Sequence, residues 1–242
     1  MILMYHHVCP EEAVPPEGRR AELAGWEYRV TPTAFEDQLL WLRGKGYRFI
    51  SLAEYVRTLR DEGRVAGRCA AVTFDDGWRD NYLHAFPVLR RLGIPATFFI
   101  VSGEMTGVPW SLRMDSAMLR EMIEGGMEIG GHSRSHPNLA ALPDDALDDE
   151  IRGCREDLMA VVGGPIRFFA YPGGRHDRRV INACVRAGYE AACSVLPWGI
   201  NDRDSLFSLK RDVLGGKDGW WRDSLVASPA GRRLCRTLRK WR

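Results

Sequence analysis

Residues Cys69–Phe74 read CAAVTF, and residues 97–101 read TFFIV. Polar alternation is almost absent from both runs, as in a strand covered on both faces. A chain with such strands must supply helices to cover its sheet, and the rest of the sequence does. Further short apolar runs fall at 1–6, 47–50, 127–129, 166–170, 189–194 and 209–214. Amphipathic segments alternate with them at about 33–43, 51–60, 79–92, 115–124, 144–162 and 177–187. Thr33 with Glu36, and Ser51 with Glu54, have capping-box spacing. Phe35, Leu39 and Leu42 then share one helix face. About seven β/α units follow one another without a clear linker or internal repeat, which implies a parallel sheet. The length suits a barrel, complete or incomplete, with a doubly wound open sheet as the alternative.

The chain has 242 residues, enough for one full core. No apolar run approaches the ~18–20 residues of a membrane span. The opening MILMYHHV has no basic region, long apolar stretch or cleavage site, so the expectation is a cytoplasmic protein. Cys9, Cys69, Cys154, Cys184, Cys193 and Cys235 are scattered, which predicts reduced, structural thiols. Of 34 basic side chains, six lie in the last eleven residues, RRLCRTLRKWR, leaving 28 against 32 acidic ones elsewhere. With Leu234, Leu238 and Trp241, this tail could touch an anionic membrane surface, although a solvated terminus is the simpler reading. A basic tail alone does not make a nucleic-acid-binding protein.

The chemistry concentrates after the apolar runs. Asp75 and Asp76 end one, His132 and His136 follow another, and His6 follows the first. In either architecture ligands bind beyond the C-terminal strand ends, so these five residues share one rim. Asp-Asp-Gly is also a turn signal, and Gly77 lets one carboxylate bind a metal while the other faces a water. An aspartyl phosphotransferase would need an acid where Gly77 stands. The H-x-x-x-H pair would converge on a helix face, or on a loop freed by Gly130 and Gly131; Ser133, Ser135, Pro137 and Asn138 favour the loop. Two histidines and one aspartate suit zinc with water positions left open, and cobalt, nickel or manganese would also be accepted. A spare carboxylate beside such a metal is the minimum for metal-assisted hydrolysis.

Three segments, Thr73-Phe74-Asp75-Asp76-Gly77, His132-Ser133-x-x-His136 and Phe169-Ala170-Tyr171-Pro172-Gly173-Gly174, resemble the NodB-homology polysaccharide deacetylases, carbohydrate esterase family 4. The opening Met4-Tyr5-His6-His7-Val8 is similar to the circularly permuted branch that includes the biofilm poly-N-acetylglucosamine deacetylases. The resemblance covers residues 1–214, leaving 215–242 as a C-terminal helix and basic tail. It implies a distorted (β/α) barrel of about seven parallel strands in a single domain. It also implies Asp75 as catalytic base, Asp76, His132 and His136 as metal ligands, and His6 as general acid, with His7 a structural neighbour. Tyr171, Pro172 and Gly173 would line the groove, the Gly173 N–H facing the oxyanion. Where many members carry an arginine that pairs with the base, this chain has Ala170, and Arg211 is the candidate substitute. The D-x-x-D-W motif is not evident; Trp198 or Trp110 could close the groove. The implied activity is metal-dependent removal of N-acetyl groups from N-acetylglucosamine-type poly- or oligosaccharide. The alternatives are deacetylation or deformylation of a small, lipid- or nucleotide-linked amino sugar, or an inactive carbohydrate-binding module. The segments 9–28 and 105–114 are expected to shape specificity.

Overall fold

Eight strands, every one paired in parallel, run through the described part of the computed structural model, which comprises residues 1–13, 26–105, 112–195 and 200–215. They are β1 (Ile2–Tyr5), β2 (Arg48–Phe49), β3 (Cys69–Phe74), β4 (Ala96–Ile100), β5 (Glu128–Gly131), β6 (Phe168–Ala170), β7 (Ala191–Cys193) and β8 (Asp212–Val213). Their order is β7-β6-β5-β4-β3-β1-β8, and β2 pairs with the opening residues of β3. One stretch of chain joins the two ends of this path. The Leu209 N–H donates to Ala192 O and the Ser194 N–H to Leu209 O, and three residues on Asp212 lies opposite Leu3 of β1. The sheet is therefore drawn into a distorted barrel within a single domain, as the strand count predicts.

Alternation along the strands sorts side chains between two cores. Leu3, Tyr5, Val72, Phe74, Phe98, Ile100 and Phe169 face outward. They pack under helices α1 (Pro32–Gly44), α3 (Phe86–Leu92), α4 (Ser116–Glu124), α6 (Cys154–Val162) and α7 (Arg178–Arg186). Ile2, Ala71, Phe99, Phe168, Ala170, Cys193 and Leu209 fill the interior with Leu52, Tyr55, Val56 and Leu59 of helix α2 (Leu52–Glu62). Helix α2 thus plugs the barrel at its N-terminal end. Its start is held there by Glu128, the first residue of β5, whose carboxylate accepts the Leu52 and Ala53 N–H groups. With that end closed, the opposite rim is where the barrel interior opens.

Several boundaries differ from the sequence reading for local reasons. Helix α1 is capped by Thr31, not Thr33, because Pro32 takes the first helical position, where a missing N–H costs nothing. At α2 Ser51 accepts the Glu54 N–H as expected, but the Glu54 carboxylate pairs with Arg48 instead of closing the box. The 79–92 helix contains a π-helical turn, Asn81–Ala85, ahead of Pro87, which has no N–H to continue a regular ladder. The single helix expected over 144–162 is α5 (Asp144–Asp148), a second π-helical turn Asp149–Gly153, and α6. Gly130 and Gly131 lie inside β5, not in a freed loop. A Cβ at Gly130 would stand 2.6 Å from the Phe99 ring, and one at Gly131 2.5 Å from the Tyr189 hydroxyl. Cys9, Cys69, Cys154, Cys184 and Cys193 are free and buried. No helix of the described residues is long and apolar enough to cross a membrane. Trp110, Trp198, Cys235, residues 14–25 of the 9–28 excursion and the basic tail lie outside the described residues.

Candidate active site

Asp75 continues the inward face of β3. Its N–H donates to Tyr5 O at 3.0 Å, so the ladder holds one residue beyond the strand and the side chain follows Ala71 and Thr73 inward. Asp76 (φ 73°) and Gly77 (φ 71°) then both adopt left-handed backbone. Two such residues in succession turn the chain sharply, which brings both carboxylates to the rim. For aspartate that conformation is uncommon, and residues held in it cluster at functional sites.

Asp75 and Asp76 are both buried but differently held. Arg211 donates from Nη1 to Asp75 Oδ1 at 2.6 Å and from Nη2 to Oδ2 at 2.7 Å. This guanidinium is 1% exposed; it also donates to Ser194 O and Thr73 Oγ1. It immediately precedes β8, so it enters from below, inside the barrel. Asp76 Oδ2 accepts the Trp78 indole N–H at 3.0 Å, and Asp76 O accepts from Arg113 Nη1 at 2.7 Å. Trp78 is held between the Arg113 guanidinium, 3.4 Å from its ring centroid, and the His7 ring at 4.4 Å. His7 Nδ1 pairs with Asp80 Oδ2 at 2.6 Å, so His7 supports Trp78.

The histidine loop leaves β5 with the His132 N–H on Ile100 O. His132 Nδ1 lies 2.7 Å from Ala170 O; a carbonyl only accepts, so Nδ1 carries the proton and Nε2 presents its lone pair. Ser133 (φ 64°) and His136 (φ 59°) are left-handed, and Ser133 Oγ accepts the His136 N–H. The H-x-x-x-H pair is thus on a loop, converging through two strained residues. Asp76 Oδ1 lies 3.4 Å from both His132 Nε2 and His136 Nε2, and one donor atom from each residue falls within 4.8 Å of the others. Ligands ~2.0–2.2 Å from a tetrahedral cation stand about 3.3–3.6 Å apart. The two oxygen–nitrogen separations match that edge, and with His132 fixed as an Nε2 donor the one oxygen and two nitrogens fit a divalent metal.

Charge keeps the site polarised. Burial alone would raise the Asp75 carboxyl, but Arg211, then His132, outweigh it and hold it below the usual carboxylate range. Asp76 is likewise lowered against burial, by His132, His6 and His136. His132 is raised, because Asp76 and Asp75 overcome its burial. His136 is pushed down to about 4 by burial and the neighbouring His132. His6 follows β1, and the charges of Asp76, Asp75, Arg211 and His132 all reach it; burial holds it below the usual imidazole range against the pull of the two aspartates. The Tyr28 ring lies 5.5 Å away.

In the third motif the structure places Tyr171 and Pro172 among the buried residues. The Tyr171 hydroxyl donates to Phe207 O, its N–H to Cys193 O, and its ring stacks on His176. Both support a turn whose third residue, Gly173 (φ 58°), is exposed at the rim. Trp78 and the partners of the histidine loop escape a reading by strand ends, since they support the rim residues from behind. The aromatic directly after Asp-Asp-Gly was the available signal for Trp78.

The profile of the polysaccharide deacetylase family matches residues 62–192, more than half of the chain. The chain belongs to the polysaccharide deacetylase family. His6 and Arg211 both lie outside the matched stretch. The chain is 26% identical over 210 residues to the putative polysaccharide deacetylase YxkH of Bacillus subtilis, covering 87% of this chain and 69% of that one. It is 32% identical over 102 residues to the poly-beta-1,6-N-acetyl-D-glucosamine N-deacetylase of Staphylococcus epidermidis, covering 41% of this chain and only 35% of that relative. Among solved structures, the Streptococcus pyogenes deacetylase PplD in complex with acetate superimposes with a TM-score of 0.77 at 27% identity, over 89% of this chain and 92% of that one. IcaB from Ammonifex degensii gives 0.76 at 25% identity, over 93% and 94%.

Proposed function

We propose that this protein is a metal-dependent hydrolase removing N-acetyl groups from N-acetylglucosamine-type poly- or oligosaccharide. The observation that carries the reading is the juxtaposition of two differently held carboxylates: Asp75 gripped by Arg211, Asp76 aimed at two histidines. Family membership and the named activity of the S. epidermidis relative support it. Asp76, His132 and His136 would hold the metal, zinc by donor type. When bound, it would polarise the acetamide carbonyl and lower the pKa of a water. Asp75, ionised, accepts the proton of the attacking water, and Arg211 keeps both its oxygens oriented. The Gly173 N–H stabilises the oxyanion. His6 is the group that would deliver a proton to the nitrogen as the C–N bond breaks, leaving acetate and a free amine. Arg211, paired with both Asp75 oxygens, stands in for the arginine absent at Ala170, which answers one of the two departures that favour an inactive module, the other being the missing D-x-x-D-W motif.

The test is acetate release from N-acetylglucosamine oligomers and from nucleotide- and lipid-linked amino sugars, using zinc- or cobalt-loaded protein. Release that depends on metal and is lost in Asp75→Asn, with metal still bound, is the expected result. Near-wild-type turnover in Asp75→Asn would rule out this base. Release from the small carriers alone would move the substrate class. We extend the proposal to the tail as a peripheral membrane contact; equal partition of full-length and tail-deleted protein onto anionic vesicles would refute it.

A further inference from the structure

His132 and His136 are separated by Ser133, Arg134 and Ser135, and one helix grips the middle of that loop. Arg134 Nε and Nη2 donate to the two Asp157 oxygens, each at 2.9 Å, and Nη1 donates to Asp149 Oδ1 at 2.6 Å. Glu150 Oε2 accepts the backbone N–H groups of Arg134 and Ser135, each at 2.9 Å, and Oε1 accepts the Ser135 hydroxyl at 2.5 Å. Asp149 and Glu150 belong to the π-helical turn, and Asp157 to α6. Gly153 closes that turn under the guanidinium, where a Cβ would stand 2.6 Å from Arg134 Cζ. From the other side the Ser102 and Gly103 N–H groups donate to Ser133 O and Arg134 O, and Ser102 Oγ donates to Asp157.

An isolated surface ion pair contributes little. This arrangement differs, because it is bidentate and fixes backbone N–H and C=O groups as well as a side chain. It encloses a loop with two non-glycine residues in left-handed backbone, Ser133 and His136. Such residues persist only where their surroundings over-determine them. We propose that Arg134, with Glu150 and Asp157, is a positioning residue. It holds the loop in the one conformation that brings both imidazoles onto Asp76, and so sets the affinity for metal. This rests on the metal reading of the site above.

The experiment is titration of the full chain with cobalt(II) or zinc(II) alone, reading binding rather than turnover. The variants are Arg134→Gln, Glu150→Gln and Asp157→Asn. Arg152→Gln is the control: it lies in the same turn but, among the described residues, pairs with Asp148 and Glu156 and not with the histidine loop. Outer partners of metal ligands typically change affinity ~10–100-fold. The expected result is at least a tenfold weaker Kd in the three variants, an altered cobalt absorption spectrum, unchanged far-ultraviolet circular dichroism, and wild-type affinity in Arg152→Gln. Wild-type affinity in Arg134→Gln and Asp157→Asn would overturn the proposal and leave the metal site standing. Wild-type protein that binds neither ion would overturn both.

Discussion

Asp75 and Arg211 are 136 residues apart in sequence and form the most buried charge pair of the site. Removing one partner of such a pair leaves an uncompensated charge and costs about 3–5 kcal/mol. Arg211→Met is expected to lose stability on that scale in denaturant unfolding. It should also change the pH profile. In the native protein the Asp75 pKa is lowered, so its stabilising contribution is present above the unfolded carboxylate value and lost only as pH falls through the folded one. Without Arg211 burial loses its strongest opponent, the pKa rises, and the acidic limb of the rate profile moves to higher pH. An unmoved limb would show that Arg211 does not tune the base. Trp78→Phe keeps a ring between Arg113 and His7 but removes the donor to Asp76. We expect about tenfold weaker zinc binding by calorimetry, and an unchanged Kd would make Trp78 a packing residue only. The rim residues were legible because they lie at, or within a few residues of, the ends of apolar runs. Arg211 could only be guessed at: its reach depends on rising through the barrel interior, and that path belongs to the closed barrel.

At the scale of elements, periodicity located the helices and strands but not the irregularities that aim them. The 144–162 segment reads as one amphipathic helix, and the π-helical turn at Asp149–Gly153 is visible only beside its neighbour, Arg134. Gly130 is similar. Sequence offers it as loop freedom before His132, whereas in β5 it makes room for Phe99 inside the barrel. The two accounts differ in their consequences. In a loop Gly130→Ala would be nearly neutral. In the barrel the new methyl meets the Phe99 ring at 2.6 Å and Phe168 O at 2.9 Å, and overpacking of this kind costs about 1–3 kcal/mol. For a chain of this size that is about 2–12 °C in melting temperature. A Gly130→Ala protein that melts with the wild type would mean the barrel yields freely at β4 and β5.

For the whole molecule, the barrel supplies the rim but not its tension. Asp76 comes from the end of β3 and the two histidines from the loop after β5, with β4 between them. The residues that bring the three together carry left-handed backbone in the described structure itself. A metal at Asp76, His132 and His136 would therefore tie together the ends of two strands that are not neighbours in the sheet. A ligand that binds the folded state and not the unfolded one stabilises by RT ln(1 + [L]/Kd), about 2.7 kcal/mol at a hundredfold excess over Kd. At ~2–4 °C per kcal/mol, zinc at that excess should raise the melting temperature by about 5–11 °C, and chelation should remove the gain. Asp76→Ala should abolish the shift and Asp75→Asn should keep it, since only the first supplies a ligand. That pairing separates a specific site from zinc scavenged by other side chains, which would raise both variants alike. If Asp75→Asn lost the shift and Asp76→Ala kept it, the roles of the two carboxylates would have to be exchanged, and with them the part played by Arg211.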